Sequence, residues 1–171
     1  MVISMDADEL RAIQAPIKEH YRADPDSAVV TLQAEGELGT EAIVCSVATG
    51  RALVEAGLHP ASGGDGSFSC SGDMLLQALV ACAGVTLRSV ATARGLDVAG
   101  VVRAEGDLDF RGTMGVDRSA PVGFRDIRLS FDLESDASEE DLAALIATTE
   151  RYCVVLQTLR AAPTVVTSLQ T

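Results

Sequence analysis

The sequence has no tryptophan, two tyrosines and four phenylalanines. Proteins that hold single-stranded nucleic acid stack its bases on aromatic side chains, and this chain has few to offer. Basic residues are scarce as well: thirteen Lys and Arg stand against twenty-five Asp and Glu, a formal charge of −12. Such a balance repels phosphate backbones and anionic lipid surfaces, so nucleic acid and membranes are not expected partners. With two histidines, His20 and His59, and no Cys/His cluster at ligand spacing, no metal site and no cofactor are expected. The four cysteines at positions 45, 70, 82 and 153 contain no C-x-x-C pair, which argues against a disulfide scaffold. Met1 to Glu9 has no basic cluster ahead of an apolar run, as a secretory leader would, so a cytoplasmic protein is expected. The longest nearly uncharged apolar stretch, Met74 to Leu87, is shorter than the ~20 residues of a membrane span and reads as a buried helix.

What is present is enough apolar material for one domain: 171 residues, 47% of them hydrophobic. Asp6 to Tyr21 has helical spacing interrupted by Pro16, which predicts two short helical pieces in an N-terminal extension, residues 1–27, ahead of a core spanning 28–171. Val30 to Leu38 alternates at the period of a strand. Gly39-Thr40 suggests a hairpin, Ile43, Cys45 and Val47 share a face of the return strand, and Arg51 to Glu55 reads as a third. His59 to Ser71 is a Gly/Ser/Pro loop without the basic residue a phosphate cradle needs. A helix follows, capped by Ser71, with Asp73 in its first turn and Gly95 as its stop, apolar on every side between Met74 and Leu87. Two alternating strands end near Phe110 and Glu134, on either side of a loop from Gly112 to Gly123. Ser138 and Asp141 form a capping box for a second helix, with Leu142, Leu145, Ile146, Thr149 and Cys153 at helical period, so Cys153 lies on its inward face or at its end. Pro163 stops that pattern, and Val165 to Leu169 reads as a last strand. The fold class is α+β.

Spacing alone leaves Cys82 and Cys153 open to two readings, since free cysteine is also one of the most often buried residue types and packs as a small hydrophobe. A hydrolase triad is disfavoured: Cys82 has no Gly-x-Cys-x-Gly elbow, and the carboxylates spread along strand and helix faces without an acid/base pair.

The stretch from Ser71 to Arg88, with Asp73 and Gln77-Ala78-Leu79-Val80-Ala81-Cys82-Ala83-Gly84, resembles the first cysteine motif of the osmotically induced protein C and organic hydroperoxide resistance family (OsmC/Ohr). Glu150-Arg151-Tyr152-Cys153-Val154-Val155-Leu156-Gln157-Thr158-Leu159 is similar to its second, and Gly63-Gly64-Asp65 fits the loop before the first helix. The resemblance runs from about Val29 to the C-terminus. It implies antiparallel strand sets around two central cysteine-bearing helices, with two chains intertwined as a homodimer and active sites at the interface. It also implies a thiol peroxidase for small organic hydroperoxides in oxidative-stress defence, in which Cys82 is peroxidatic, Cys153 resolving, and a cellular dithiol the reductant. Family peroxidases add an arginine that holds the thiolate and a glutamate that orients it; Arg51 is the best candidate for the first, ahead of Arg88. Asp73 stands where the motif usually carries glutamate, and Val154 where proline usually follows the second cysteine. Those departures leave a second reading beside the enzyme, a stress-associated small-molecule binder without efficient turnover, and a third in which the cysteines are structural.

Overall fold

The computed structural model describes residues 7–38, 45–47, 56–67 and 69–169. In chain order these form α1 (Ala7–Ala23), β1 (Val29–Leu38), β2 (Cys45–Val47), β3 (Ala56–Gly57), β4 (Ser69–Cys70) and α2 (Ser71–Arg94). There follow β5 (Ala99–Asp109), the single turn α3 (Phe110–Thr113), β6 (Phe124–Glu134), α4 (Glu139–Tyr152) and α5 (Val154–Arg160). The expected hairpin at Gly39-Thr40 and strand at Arg51 to Glu55 lie outside the described residues.

Strands β3 and β4 form a separate two-stranded pair that is parallel, unlike the antiparallel sets expected, while the other four join into an antiparallel sheet, ordered β2-β1-β5-β6. Its centre is the long ladder between β1 and β5, from Val29 opposite Asp109 to Glu37 opposite Val101. On β5 and β6 the alternation read from the sequence separates the faces. Val102 and Ala104 are buried, and Ile127, Leu129 and Phe131 pack with them beneath the helices. The opposite face carries Arg128 paired with Asp107 (2.7 Å) and Glu105 (3.4 Å), and Arg103 with Asp132 (3.4 Å). Arg128, then Thr31, hydrogen-bond the Asp107 carboxylate and lower its pKa to about 2.

Helix α2 lies across the apolar face, burying Leu76, Leu79, Val80, Ala83, Leu87 and Ala91. By length and composition it could cross a membrane, but in this fold it packs against β1, β5 and α4 as the core helix. Its cap differs from expectation: Cys70 occupies the N-cap and Ser71 is the first helical residue, with no side-chain cap bond. The strand pair β3/β4 draws Cys70 into an extended conformation, opposite Gly57 in the ladder, which moves the helix start by one residue. Gly95 ends the helix as expected, left-handed at φ 66°, a conformation glycine adopts without strain.

Pro16 does not break α1. A proline costs one intrahelical bond and crowds the carbonyl four residues back. Here the helix is anchored on both sides of it, by Gln14 Nε2 donating to the Ser62 carbonyl (3.2 Å) and the Tyr21 hydroxyl donating to the Ala61 carbonyl (2.6 Å). Tyr21, Ala28 and Phe110 form a second small core, against which Ile17 packs. The loop after Gly112 begins with α3, where Asp109 accepts the Arg111 backbone N–H (3.0 Å) and pairs with its guanidinium (2.6 Å). The Ser138 cap of α4 forms as read, its Oγ accepting the Asp141 N–H (3.1 Å). Val165 to Leu169 is not a strand: the segment is irregular and exposed, with no ladder neighbour among the described residues.

Candidate active site

Cys82 lies at the middle of α2, and α2 packs against both α4 and α5. Cys153 is the corner between those two helices. Its backbone N–H still bonds the Thr149 carbonyl (2.9 Å), closing α4, and its carbonyl accepts from Gln157 (2.9 Å), opening α5. With φ −69° and ψ 106° the residue itself is extended, so the chain turns there. This aims a fully buried Cys153 side chain at α2, while its neighbours Tyr152 and Val154 stand out in solvent at 59% and 70% exposure.

The two thiols meet, and both are free. Cys82 is partly buried on the rim of the core, and Cys153 is within hydrogen-bonding reach of it. Burial pushes the Cys153 thiol up to about 11, against a weaker downward pull from the N–H groups of Leu156 and Val155 at the start of α5; its hydrogen bond to Cys82 raises it further. Burial thus favours the protonated form of Cys153 beside Cys82. Such an arrangement permits the Cys82 sulfur to react first while its partner stays a thiol at neutral pH.

The other expected residues are not gathered here. Asp73 is nine residues before Cys82 on the same helix, which is two and a half turns: about 13 Å along the axis and on the opposite side. Its neighbour is His59, whose charge works against the burial that raises the Asp73 pKa. Arg88 donates to the Val98 carbonyl (3.0 Å) at the edge of β5, six residues past Cys82. Arg51 lies outside the described residues, as does the side chain of Cys45, and Cys70 caps α2 well before Cys82. Among the described residues no group of three metal-ligating side chains forms.

Two features had no signal in residue spacing. The ring of His59 stacks on Phe110 (5.0 Å between centroids) and its Nδ1 accepts the Ala61 N–H (3.0 Å). A cavity of about 350 Å³ opens between β6 and the α4–α5 corner, floored by Phe124, Ile127, Leu129, Leu156 and Leu159. It reaches to within one turn of Cys153, and neither cysteine lines it.

The fold and site therefore define an α+β domain whose core helix carries a cysteine against a second, buried cysteine at a helix corner. The profile of the family described as OsmC-like protein matches residues 64–168, and the chain belongs to that family. Among solved structures it is similar to an OsmC-like hydroperoxide resistance protein from Jannaschia sp. CCS1, with 20% identity and a TM-score of 0.56 over 84% of this chain and 95% of that one. At that identity the likeness concerns the fold. No curated protein matches the sequence significantly.

Proposed function

We propose that the protein is a thiol peroxidase that reduces organic hydroperoxides through Cys82 and Cys153, as part of a peroxide-related stress response. The observation that carries this reading is the contact between a partly buried Cys82 and a fully buried Cys153 whose thiol burial keeps protonated. Cys82, as thiolate, attacks the peroxide; the S–O bond forms as the O–O bond breaks, and the alkoxide leaves as alcohol after taking a proton. Cys153 then displaces the sulfenic oxygen of Cys82 as water, giving a disulfide that a cellular dithiol reduces. Organic rather than inorganic peroxide fits the surroundings of Cys82, where Leu79 and Val80 are buried and Leu75 and Val85 are uncharged and part-exposed.

The working unit in this reading is a cytoplasmic homodimer. Leu75 and Val85 on α2, and Val165, Val166 and Leu169 in the C-terminal segment, are apolar and exposed in the single chain, as surfaces awaiting a second copy would be. The same assembly bears on Asp73. It cannot reach the thiol of its own helix, so as an orienting carboxylate it acts across the interface, with Arg51 the proposed partner of the thiolate.

Peptide mass spectrometry of the reduced protein after brief exposure to stoichiometric organic hydroperoxide tests the reaction. The expected product is a Cys82–Cys153 disulfide that forms faster than with hydrogen peroxide and not at all in Cys82→Ser; thiols that stay reduced would sink the proposal. The cavity beneath Phe124 and Leu156 favours the second reading, a small-molecule binder, and that becomes the account if the cysteines prove inert.

A further inference from the structure

One polar group in the core is unexplained by packing. Thr149 is fully buried on α4, and among the described residues its Oγ1 has no hydrogen-bond partner. A helical threonine has a ready partner in the carbonyl four residues back, and two others in this chain use it: Thr148 donates to Ala144 (2.7 Å) and Thr92 to Arg88 (2.8 Å). Thr149 does not. Leaving a buried hydroxyl unpaired costs stability, so a group that keeps it needs a use for it at some other point in the protein's cycle. Its position supplies one. Thr149 is one turn before Cys153 on the same inward face, bonded to it through the backbone (2.9 Å), which puts the two Cβ atoms about 6 Å apart. Cys82 faces that same cysteine.

We propose that the Thr149 hydroxyl is the hydrogen-bond donor for the oxygen that Cys82 gains from peroxide and loses to Cys153. The inference rests on the thiol-peroxidase reading and adds to it a residue for the resolving step. In the reduced protein no oxygen is present on the sulfur and the hydroxyl idles. Once Cys82 is a sulfenic acid, Thr149 Oγ1–H points to the S–O oxygen. When the Cys153 sulfur attacks Cys82, the S–S bond forms and the S–O bond breaks. The departing oxygen takes the Cys153 thiol proton and leaves as water, its developing charge held by Thr149, which keeps its own proton throughout. The hydroxyl thus acts on the leaving group and adds nothing to the first attack on peroxide.

Thr149→Val removes the hydroxyl at nearly constant shape, and Thr149→Ser keeps it. Reduced wild-type, Thr149→Val and Thr149→Ser proteins are mixed with stoichiometric organic hydroperoxide, and the Cys82 sulfenic acid is trapped with dimedone at successive times. The expected result is loss of the Cys82 thiol at the wild-type rate in all three, a sulfenic acid that survives about tenfold longer in Thr149→Val, and a lifetime restored in Thr149→Ser. Thermal melting of the reduced proteins should show Thr149→Val no less stable than wild type. A wild-type sulfenic acid lifetime in Thr149→Val, or a melting loss that Thr149→Ser repairs, would overturn the proposal while leaving the peroxidase reading intact. A wild-type Cys82 that never forms a sulfenic acid or disulfide would remove both.

Discussion

At the scale of single residues, the asymmetry between two identical side chains is what the fold produces. Cys153 is sealed and pushed up to about 11, chiefly by burial, so its thiol loses its proton later in the folded chain than in the unfolded one. The sign of the linkage follows. Between pH 9 and 11 the folded state holds the extra proton; the stabilisation from burying a neutral thiol is complete below pH 9 and is lost as the pH rises through 11. Denaturant titrations of the reduced protein should therefore lose on the order of 2 kcal/mol more across that window than those of Cys153→Ala, because two pH units correspond to that amount. Equal alkaline slopes would mean that Cys153 is not held as a buried neutral thiol. The relation of Asp73 to Cys82 was already contained in the sequence as helix arithmetic, since nine residues cannot bring two side chains to one face. The facing of Cys82 and Cys153, by contrast, depends on a bend at Cys153 that no spacing records: Val154, Val155 and Leu156 continue the apolar pattern through it.

Elements were legible where local chemistry and packing agreed. The end of α2 follows from an apolar run closed by a left-handed glycine, and α4 begins at a side-chain cap whose partners are three residues apart. The alternation of β5 and β6 names the face that each strand buries. Legibility failed where the deciding neighbour was distant in sequence. Pro16 is carried through α1 by bonds to Ser62 and Ala61, and the β-prone segment from Val165 to Leu169 pairs with no strand among the described residues. Gly106 shows the same dependence within a strand. It holds an inward position of β5, and a Cβ there would lie 2.5 Å from the Phe124 ring and 3.4 Å from Leu76 of α2. The missing side chain is what lets the aromatic ring and the core helix close over the sheet. Gly106→Ala should cost about 1–3 kcal/mol through displacement of Phe124, read as a lower urea midpoint at unchanged slope. An unchanged midpoint would show that the ring moves aside freely and that the contact does not position α2.

For the whole molecule, the governing fact is a core helix that one chain covers incompletely. A helix apolar all round belongs inside a structure, yet Leu75 and Val85 of α2 are 37% and 40% exposed, and both sit on the helix that carries Cys82. Pairing two copies through this face would bury it and would bring the neighbourhood of one Cys82 against the other chain. It would also bring together two chains that each carry a charge of −12, so association should tighten with added salt, as screening weakens their mutual repulsion. Val85→Asp separates these contributions. The position is open enough in the single chain for the fold to accept an aspartate, whereas at a dry interface the same carboxylate would be buried without a partner and would cost several kcal/mol. Light scattering on reduced protein is expected to give twice the 17.8 kDa chain mass for wild type, with a dissociation constant that falls as salt rises from low to physiological concentration. Val85→Asp is expected at the single-chain mass with its circular dichroism intact. A wild-type protein that stays at 17.8 kDa at all salt concentrations would require the exposed face of α2 to be covered by something other than a second copy, and would leave Asp73 with no thiol to orient.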